Sequence, residues 1–257
     1  MQLDVAEVKR DFERSASDYD EHAHMQKDTT KYAASLLGAL CDANAQVLDV
    51  GAGTGYLSQY AQAQELDWNI SQLDIAFNMC AEAYKVNPLV LNGSAMAIPC
   101  ADRQFDAVFS SLCLQWVPDP QRALREFARV LKPDGRVLIS TYGPNTLCEM
   151  REAFAGVDDA PHVIDFEPAE NLLAMARHAG LICQLSKASL STVQYPNLKA
   201  LMRQLKGLGA ANKHAQRQRG LMGLRRFANM EQAYEAKFMT QDGLPASWEV
   251  YYMVFSN

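Results

Sequence analysis

Three glycines and two aspartates carry the first chemical signal in this sequence. The run Leu48-Asp49-Val50-Gly51-Ala52-Gly53-Thr54-Gly55 leads from an apolar stretch into a G-x-G-x-G turn. Glycine at 51, 53 and 55 lets the backbone turn sharply and approach a ligand without Cβ interference. Asp74 follows about 20 residues later, the spacing at which an acid ending the next strand accepts both hydroxyls of a ribose. A dinucleotide fingerprint would need a glycine at 56, but Tyr56 stands there and would obstruct helix packing over a pyrophosphate. NAD is therefore disfavoured, and no Gly-Lys-Ser/Thr follows to make a Walker loop. The loop suits a nucleoside-type ligand with no phosphates to cradle.

Composition narrows the setting. The chain has 257 residues, 49% of them hydrophobic, enough for a substantial core and, as an expectation, one continuous domain. No apolar run approaches the ~18 residues of a bilayer span, and the N-terminus, with Asp4, Glu7, Lys9, Arg10 and Asp11, lacks the apolar core of a signal peptide. A cytoplasmic location is expected. The six cysteines include no C-x-x-C pair, which argues for reduced thiols, and the five histidines are dispersed, so no metal site is expected. Net charge is −6, yet Lys199, Arg203, Lys206, Lys213, Arg217, Arg219, Arg225 and Arg226 fall in a stretch with no acid at all. Such a segment either steers an anionic partner or forms a solvated face. No nucleic-acid module is visible.

The elements that must hold these residues alternate. Helical spacing runs over 4–17 and 29–40, then a strand leads into the glycine loop and a helix covers 54–64. Strands are predicted at 68–74, 89–91, 105–111 and 136–142, with helices at 77–85 and from Asp119-Pro120 to Leu131. Further on come a helix at 168–179, strand-like stretches in 181–195, a helix at 197–208 and a closing strand at 248–255. This is an α/β pattern with a doubly wound, mostly parallel sheet. It divides into N-terminal lid helices (1–45), a cofactor-binding core (46–143) and substrate-side helices with closing strands (144–257). In such sheets the ligand lies beyond the C-terminal strand ends, which places Ser110, Ser111, Leu112, Gln115 and Trp116 beside the loop. Gln115 is a candidate for meeting the substrate; Trp116 is equally suited to anchoring its own loop.

The G-x-G-x-G loop with its acid resembles that of class I S-adenosylmethionine-dependent methyltransferases, and the chain as a whole resembles the malonyl-acyl-carrier-protein O-methyltransferases of biotin synthesis, the BioC family. Phe12-x-Arg14-x-Ala16-x-x-Tyr19-Asp20-x-His22-Ala23-x-x-Gln26 is similar to that family's opening motif. Ile98-Pro99, Phe105-Asp106 and Leu114-Gln115-Trp116 resemble its core motifs. Asn145-Thr146-Leu147-x-Glu149, the run from Leu201-Met202-Arg203 to Leu208-Gly209-Ala210, and Leu244-Pro245-Ala246-Ser247-x-Glu249-Val250 resemble its C-terminal signatures. The core motifs are shared by many methyltransferases; the terminal ones are more specific.

The resemblance implies methyl transfer from S-adenosylmethionine to the free carboxylate of a malonyl thioester, on acyl carrier protein or CoA, with S-adenosylhomocysteine as product. Hiding that charge lets an apolar-end pathway elongate the chain. No general base is needed, because a carboxylate is already ionised at pH 7. The family pattern implies cofactor contacts from Asp49, Gly51, Ala52, Gly53, Gly55, Asp74, Ile75, Met79, Ser94, Ala95, Met96, Ser110 and Ser111. It implies Tyr19, Gln115 and Arg203 toward the substrate, and Lys199, Lys206, Lys213, Arg217, Arg225 and Arg226 toward an acidic carrier protein. Ser94 departs from the family's Gly-Asp, so a neutral hydroxyl and the Ala95-Met96 backbone take the adenine. Two alternatives stay open: a quinone or phenol methyltransferase, and a non-methylating assembly factor of respiratory complex I. The region 12–26 discriminates against the last.

Overall fold

The computed structural model describes residues 4–157, 162–208 and 224–257. Helices α1 (Val5–Ser15), α2 (Tyr19–His22) and α3 (His24–Gly38) precede the alternation β1 (Ala45–Val50), α4 (Tyr56–Ala63), β2 (Trp68–Asp74), α5 (Phe77–Val86), β3 (Val90–Asn92), β4 (Phe105–Ser111), α6 (Pro120–Val130) and β5 (Leu131–Tyr142). Then come α7 (Cys148–Phe154), α8 (Ala169–His178), β6 (Ile182–Tyr195), α9 (Leu198–Gly207), α10 (Leu224–Phe238) and β7 (Leu244–Ser256).

The strands form one seven-stranded sheet in the order β3-β2-β1-β4-β5-β7-β6. The first five pair in parallel, while β7 runs antiparallel between β5 and β6. β1 and β4 read as near-continuous apolar runs because helices cover both of their faces. Val47 and Phe109 pack toward α3, α4 and the C-terminal helices, whereas Leu48, Val50 and Val108 meet Leu124 and Phe127 of α6. The strand order reverses between β1 and β4, so the crevice for a ligand opens at their C-terminal ends.

The expected strands 68–74 and 105–111 match β2 and β4, and Asp119 caps α6 by accepting from the Arg122 N–H at 2.9 Å. Leu131, expected at the end of that helix, instead begins β5, whose pairing with β4 is irregular between Phe105 and Ala107. No helix was expected over α7 or α10. α7 is short and starts after Leu147 in the left-handed region (φ 54). α10 carries a readable apolar period at Phe227, Met230, Tyr234 and Phe238.

The C-terminal signature residues form a carboxylate clasp. Glu249 on β7 accepts from Asn145 N at 2.9 Å and Asn145 Nδ2 at 3.0 Å, while Thr146 Oγ1 both donates to Glu249 O and accepts from Glu249 N. In return, Glu149 accepts from Ser247 N at 3.0 Å and from the Ser247 hydroxyl. The two acids fix the loop after β5 to the antiparallel strand beside it. Charge-assisted bonds of this kind are each worth ~1.5–3 kcal/mol. Glu249→Ala should therefore lower stability by about 3 kcal/mol, read as a shifted urea midpoint at unchanged slope; a loss below about 1 kcal/mol would show that the clasp is not structural.

Candidate active site

Gly51, Gly53 and Gly55 all take positive φ (78°, 56° and 84°), so every second residue of the turn out of β1 is left-handed. Their surroundings differ. A Cβ on Gly51 would collide with Cys113, which presses on the loop from the segment after β4, and one on Gly55 would sit 2.6 Å from Gln72 Oε1. Around Gly53 there is open space. Its N–H donates to Asp74 Oδ2 at 2.9 Å, while Asp74 Oδ1 accepts from Ala76 N at 2.8 Å. The acid ending β2 therefore holds the glycine loop in place, and each oxygen keeps a further lone pair for a ligand.

A buried carboxyl and a partly exposed one lie near each other here. Asp49 is 3% exposed and has no hydrogen-bond partner among the described residues. Burial, with the nearby Asp74 charge second, pushes its pKa up to about 8. Burial also raises the Asp74 pKa, against the lowering by its backbone donors. A cationic ligand would relieve this arrangement by stabilising the ionised forms. Burial pushes the Cys113 thiol up to about 12, which disfavours the reactive thiolate.

Beyond the strand ends lies a cavity of about 100 Å³. Of the expected cofactor residues it brings together Gly51, Gly53, Asp74, Ile75 and Met79 on one side, with Ser94, Ala95, Met96 and Ser111 also lining it. Val5, Val8 and Phe12 of α1 close it with an apolar wall. Ser94 Oγ accepts from Met96 N at 3.2 Å, which shapes the turn expected to meet adenine. A smaller cavity of about 50 Å³ adjoins it, lined by Asp49, Ala52, Thr54 and Gln26. Tyr19, Gly51, Gly53 and Ser111 border both.

Four expected residues stand elsewhere. Ser110 is fully buried and donates to Val50 O at 3.0 Å, because successive strand side chains point to opposite faces and Ser111 takes the open one. Gln115 lines neither cavity: its Nε2 donates to Leu112 O at 2.8 Å and its Oε1 accepts from Thr141, so it braces the loop. Gly55 serves packing against Gln72 and Ala83 rather than the cavities. Arg203 lies on the exposed face of α9 and lines neither cavity.

The opening motif folds over these cavities as a chain of specific contacts. The Phe12 ring meets Trp116 edge-on at 5.7 Å, and Ala16 packs with Ala76 and Met79. Asp20 accepts from Thr54 Oγ1 at 2.8 Å, tying α2 to the glycine loop. His22 fills the space left by Gly207, where a Cβ would strike its ring. Gln204 of α9 donates to His22 O at 2.5 Å, and Gln26 donates to Tyr142 OH at 3.3 Å. The Asp20 bond and the pressure from Cys113 escaped sequence reasoning, since neither residue has a spacing signal toward the loop. Among the described residues no metal-binding cluster occurs, and no helix is long and apolar enough to cross a membrane.

Known proteins resemble this chain in sequence and in fold. The family described as "Methyltransferase domain" matches residues 48–139. The malonyl-[acyl-carrier protein] O-methyltransferase of Laribacter hongkongensis is 35% identical over 263 residues, covering 97% of this chain and 88% of the relative. The bifunctional biotin-biosynthesis protein BioHC of Cellvibrio japonicus is 36% identical over 255 residues, covering 98% of this chain and 50% of its own. The crystal structure of YcgJ from Bacillus subtilis superposes with a TM-score of 0.62 at 19% identity, covering 88% of this chain and 98% of that one, a likeness of fold.

The buried acid makes a pH prediction. Between the ordinary carboxylate range near 4 and about 8, folded Asp49 holds a proton that the unfolded chain has lost, so ligand-free stability falls as pH rises through that window. Asp49→Asn should raise the melting temperature of the ligand-free protein by several degrees at pH 8, with the gain shrinking toward pH 5. A gain of the same size at both pH values would contradict the raised pKa.

Proposed function

The chain belongs to the malonyl-[acyl-carrier protein] O-methyltransferase family and is an S-adenosylmethionine-dependent methyltransferase of biotin synthesis; we propose that its acceptor is the free malonyl carboxylate, met by Tyr19 at the junction of the two cavities. That junction is the observation carrying the proposal. Tyr19 borders both cavities, and burial, then the charges of Asp74 and Asp20, raise its pKa well above the ordinary phenol value. It stays protonated and can donate to a carboxylate oxygen without acting as a base.

The site residues suit the cofactor. When bound, S-adenosylmethionine supplies an electrophilic methyl group on a positively charged sulfur. Asp49 would pair with its ammonium, Asp74 would accept ribose hydroxyls, and Ser94 with the Ala95-Met96 backbone would meet the adenine edge, beside Ile75 and Met79. The acceptor needs positioning rather than activation: a malonyl carboxylate is ionised at neutral pH, and the apolar wall from α1 excludes the water that would compete.

The carrier would be an acidic protein. Lys199 and Lys206 are exposed on α9 and Arg225 on α10, with Arg226 beside it half-buried; Lys213 and Arg217 lie outside the described residues. A patch of this sign raises encounter rates with an anionic carrier, and malonyl-CoA, whose phosphates are likewise anionic, would serve as an alternative thioester.

A methyl-transfer assay offering malonyl-acyl carrier protein, malonyl-CoA and free malonate tests this. Label should appear as a base-labile ester on the thioesters. Tyr19→Phe should lower kcat about tenfold or more, the loss of one hydrogen bond to a charged group, with the S-adenosylmethionine Kd unchanged. Cofactor binding without label on any malonyl substrate would refute the reading, and an unaltered kcat in Tyr19→Phe would remove the tyrosine's role.

A further inference from the structure

We infer that the groove between α3, α9 and the outer strands β6 and β7 is the channel through which a pantetheine-type thioester arm reaches the Tyr19 junction, with Gln26 at its inner end. This rests on the malonyl-thioester reading and assigns the route that the substrate takes.

The groove has a volume of about 470 Å³, several times that of the cavity beside the glycine loop. Along it stand Thr29, Ser189, Ser191, Tyr195 and Gln204, interleaved with apolar groups from Val193, Leu208, Trp248 and Val250. Neutral donors and acceptors alternating with apolar surface suit an aliphatic chain interrupted by amides. Of the charged or basic side chains there, Asp28 is turned to Lys31 at 3.0 Å, and His24 lies four residues earlier on the same helix.

Gln26 joins this groove to the active site, being the residue that lines both the groove and the small cavity beside Tyr19. Its Nε2 donates to Tyr142, but its Oε1 is buried and has no hydrogen-bond partner. Leaving a buried amide oxygen unpaired is unfavourable. An amide N–H of the arm, lying in the groove, would supply the missing donor.

The outer end has the charge that such an arm needs. α9 and its C-cap give Gln204 and Leu208 to the groove, and the helix presents Lys199, Arg203 and Lys206 to solvent. A pantetheine arm carries its phosphate at the end away from the thioester. Cations on the outside, neutral polar groups within and Tyr19 beyond Gln26 follow the order of groups along it. Arg203, which reaches neither inner cavity, acquires a role as a phosphate partner at the rim.

The test fills the groove in the full-length enzyme. Ser191→Trp should raise KM for malonyl-CoA and malonyl-acyl carrier protein at least tenfold relative to KM for malonyl methyl thioester, which has no arm. The S-adenosylmethionine Kd, unchanged, reports that the fold is intact; Val193→Trp repeats the test should the first variant fold poorly. Unchanged KM for malonyl-CoA, or an equal rise for the short thioester, would overturn the channel while leaving the reaction standing. A native enzyme that binds S-adenosylmethionine but methylates none of the three would overturn the reaction, and the channel with it.

Discussion

A buried carboxyl, Asp49, and the partly exposed Asp74 whose charge reaches it, near the ends of two adjacent parallel strands, set the terms for this site. Asp49 has no hydrogen-bond partner among the described residues, and Asp74 has one backbone donor on each oxygen. In an apolar pocket the ionised pair is disfavoured without a cation, which is what a sulfonium nucleoside with a free ammonium brings. The glycine loop depends on the same arrangement, because Gly53 is held to β2 by Asp74 while Cys113 presses Gly51 from the far side. The ligand-free fold thus keeps an unfavourable arrangement at its functional centre, supported by a large two-faced core.

The N-terminal helices pack over this centre through contacts that explain why their motif is specific. Phe12, Ala16, Asp20, His22 and Gln26 each meet a different element: the segment after β4, α5, the glycine loop, α9 and β5. Changing one of them loosens one attachment rather than a general packing surface. The C-terminal signatures play a complementary part, with Glu149 and Glu249 clasping the loop after β5 and α9 receiving His22. Residues far apart in the chain therefore belong to a single frame around Tyr19.

Much of this was legible in the sequence where a residue's environment follows from local rules. The strands at 68–74 and 105–111, the cap at Asp119 and the glycine loop with Asp74 match, because buried parallel strands and tight turns leave little freedom in residue type. The family resemblance supplied the reaction, which the full-length relatives support. What failed was direction. Ser110 and Ser111 are adjacent, yet the pleat sends one into the core and the other to the cavities, and Gln115 satisfied its polar atoms on Leu112 of its own loop and Thr141 of β5. For Arg203 the helical period was the better guide, since it lies off the buried stripe of Leu198, Leu201 and Leu205 and faces solvent. α10 was overlooked despite its period, since its many charges obscured an otherwise regular apolar face.

The central claim is that a protonated Asp49 waits for a cation. Calorimetry of S-adenosylmethionine binding at pH 7, repeated in buffers of different ionisation enthalpy, measures this directly through the protons exchanged. Release of close to one proton per cofactor bound, abolished in Asp49→Asn, is the expected result, since a group with a pKa of about 8 must ionise to pair with the ammonium. Binding with no net proton release in the native protein would contradict it.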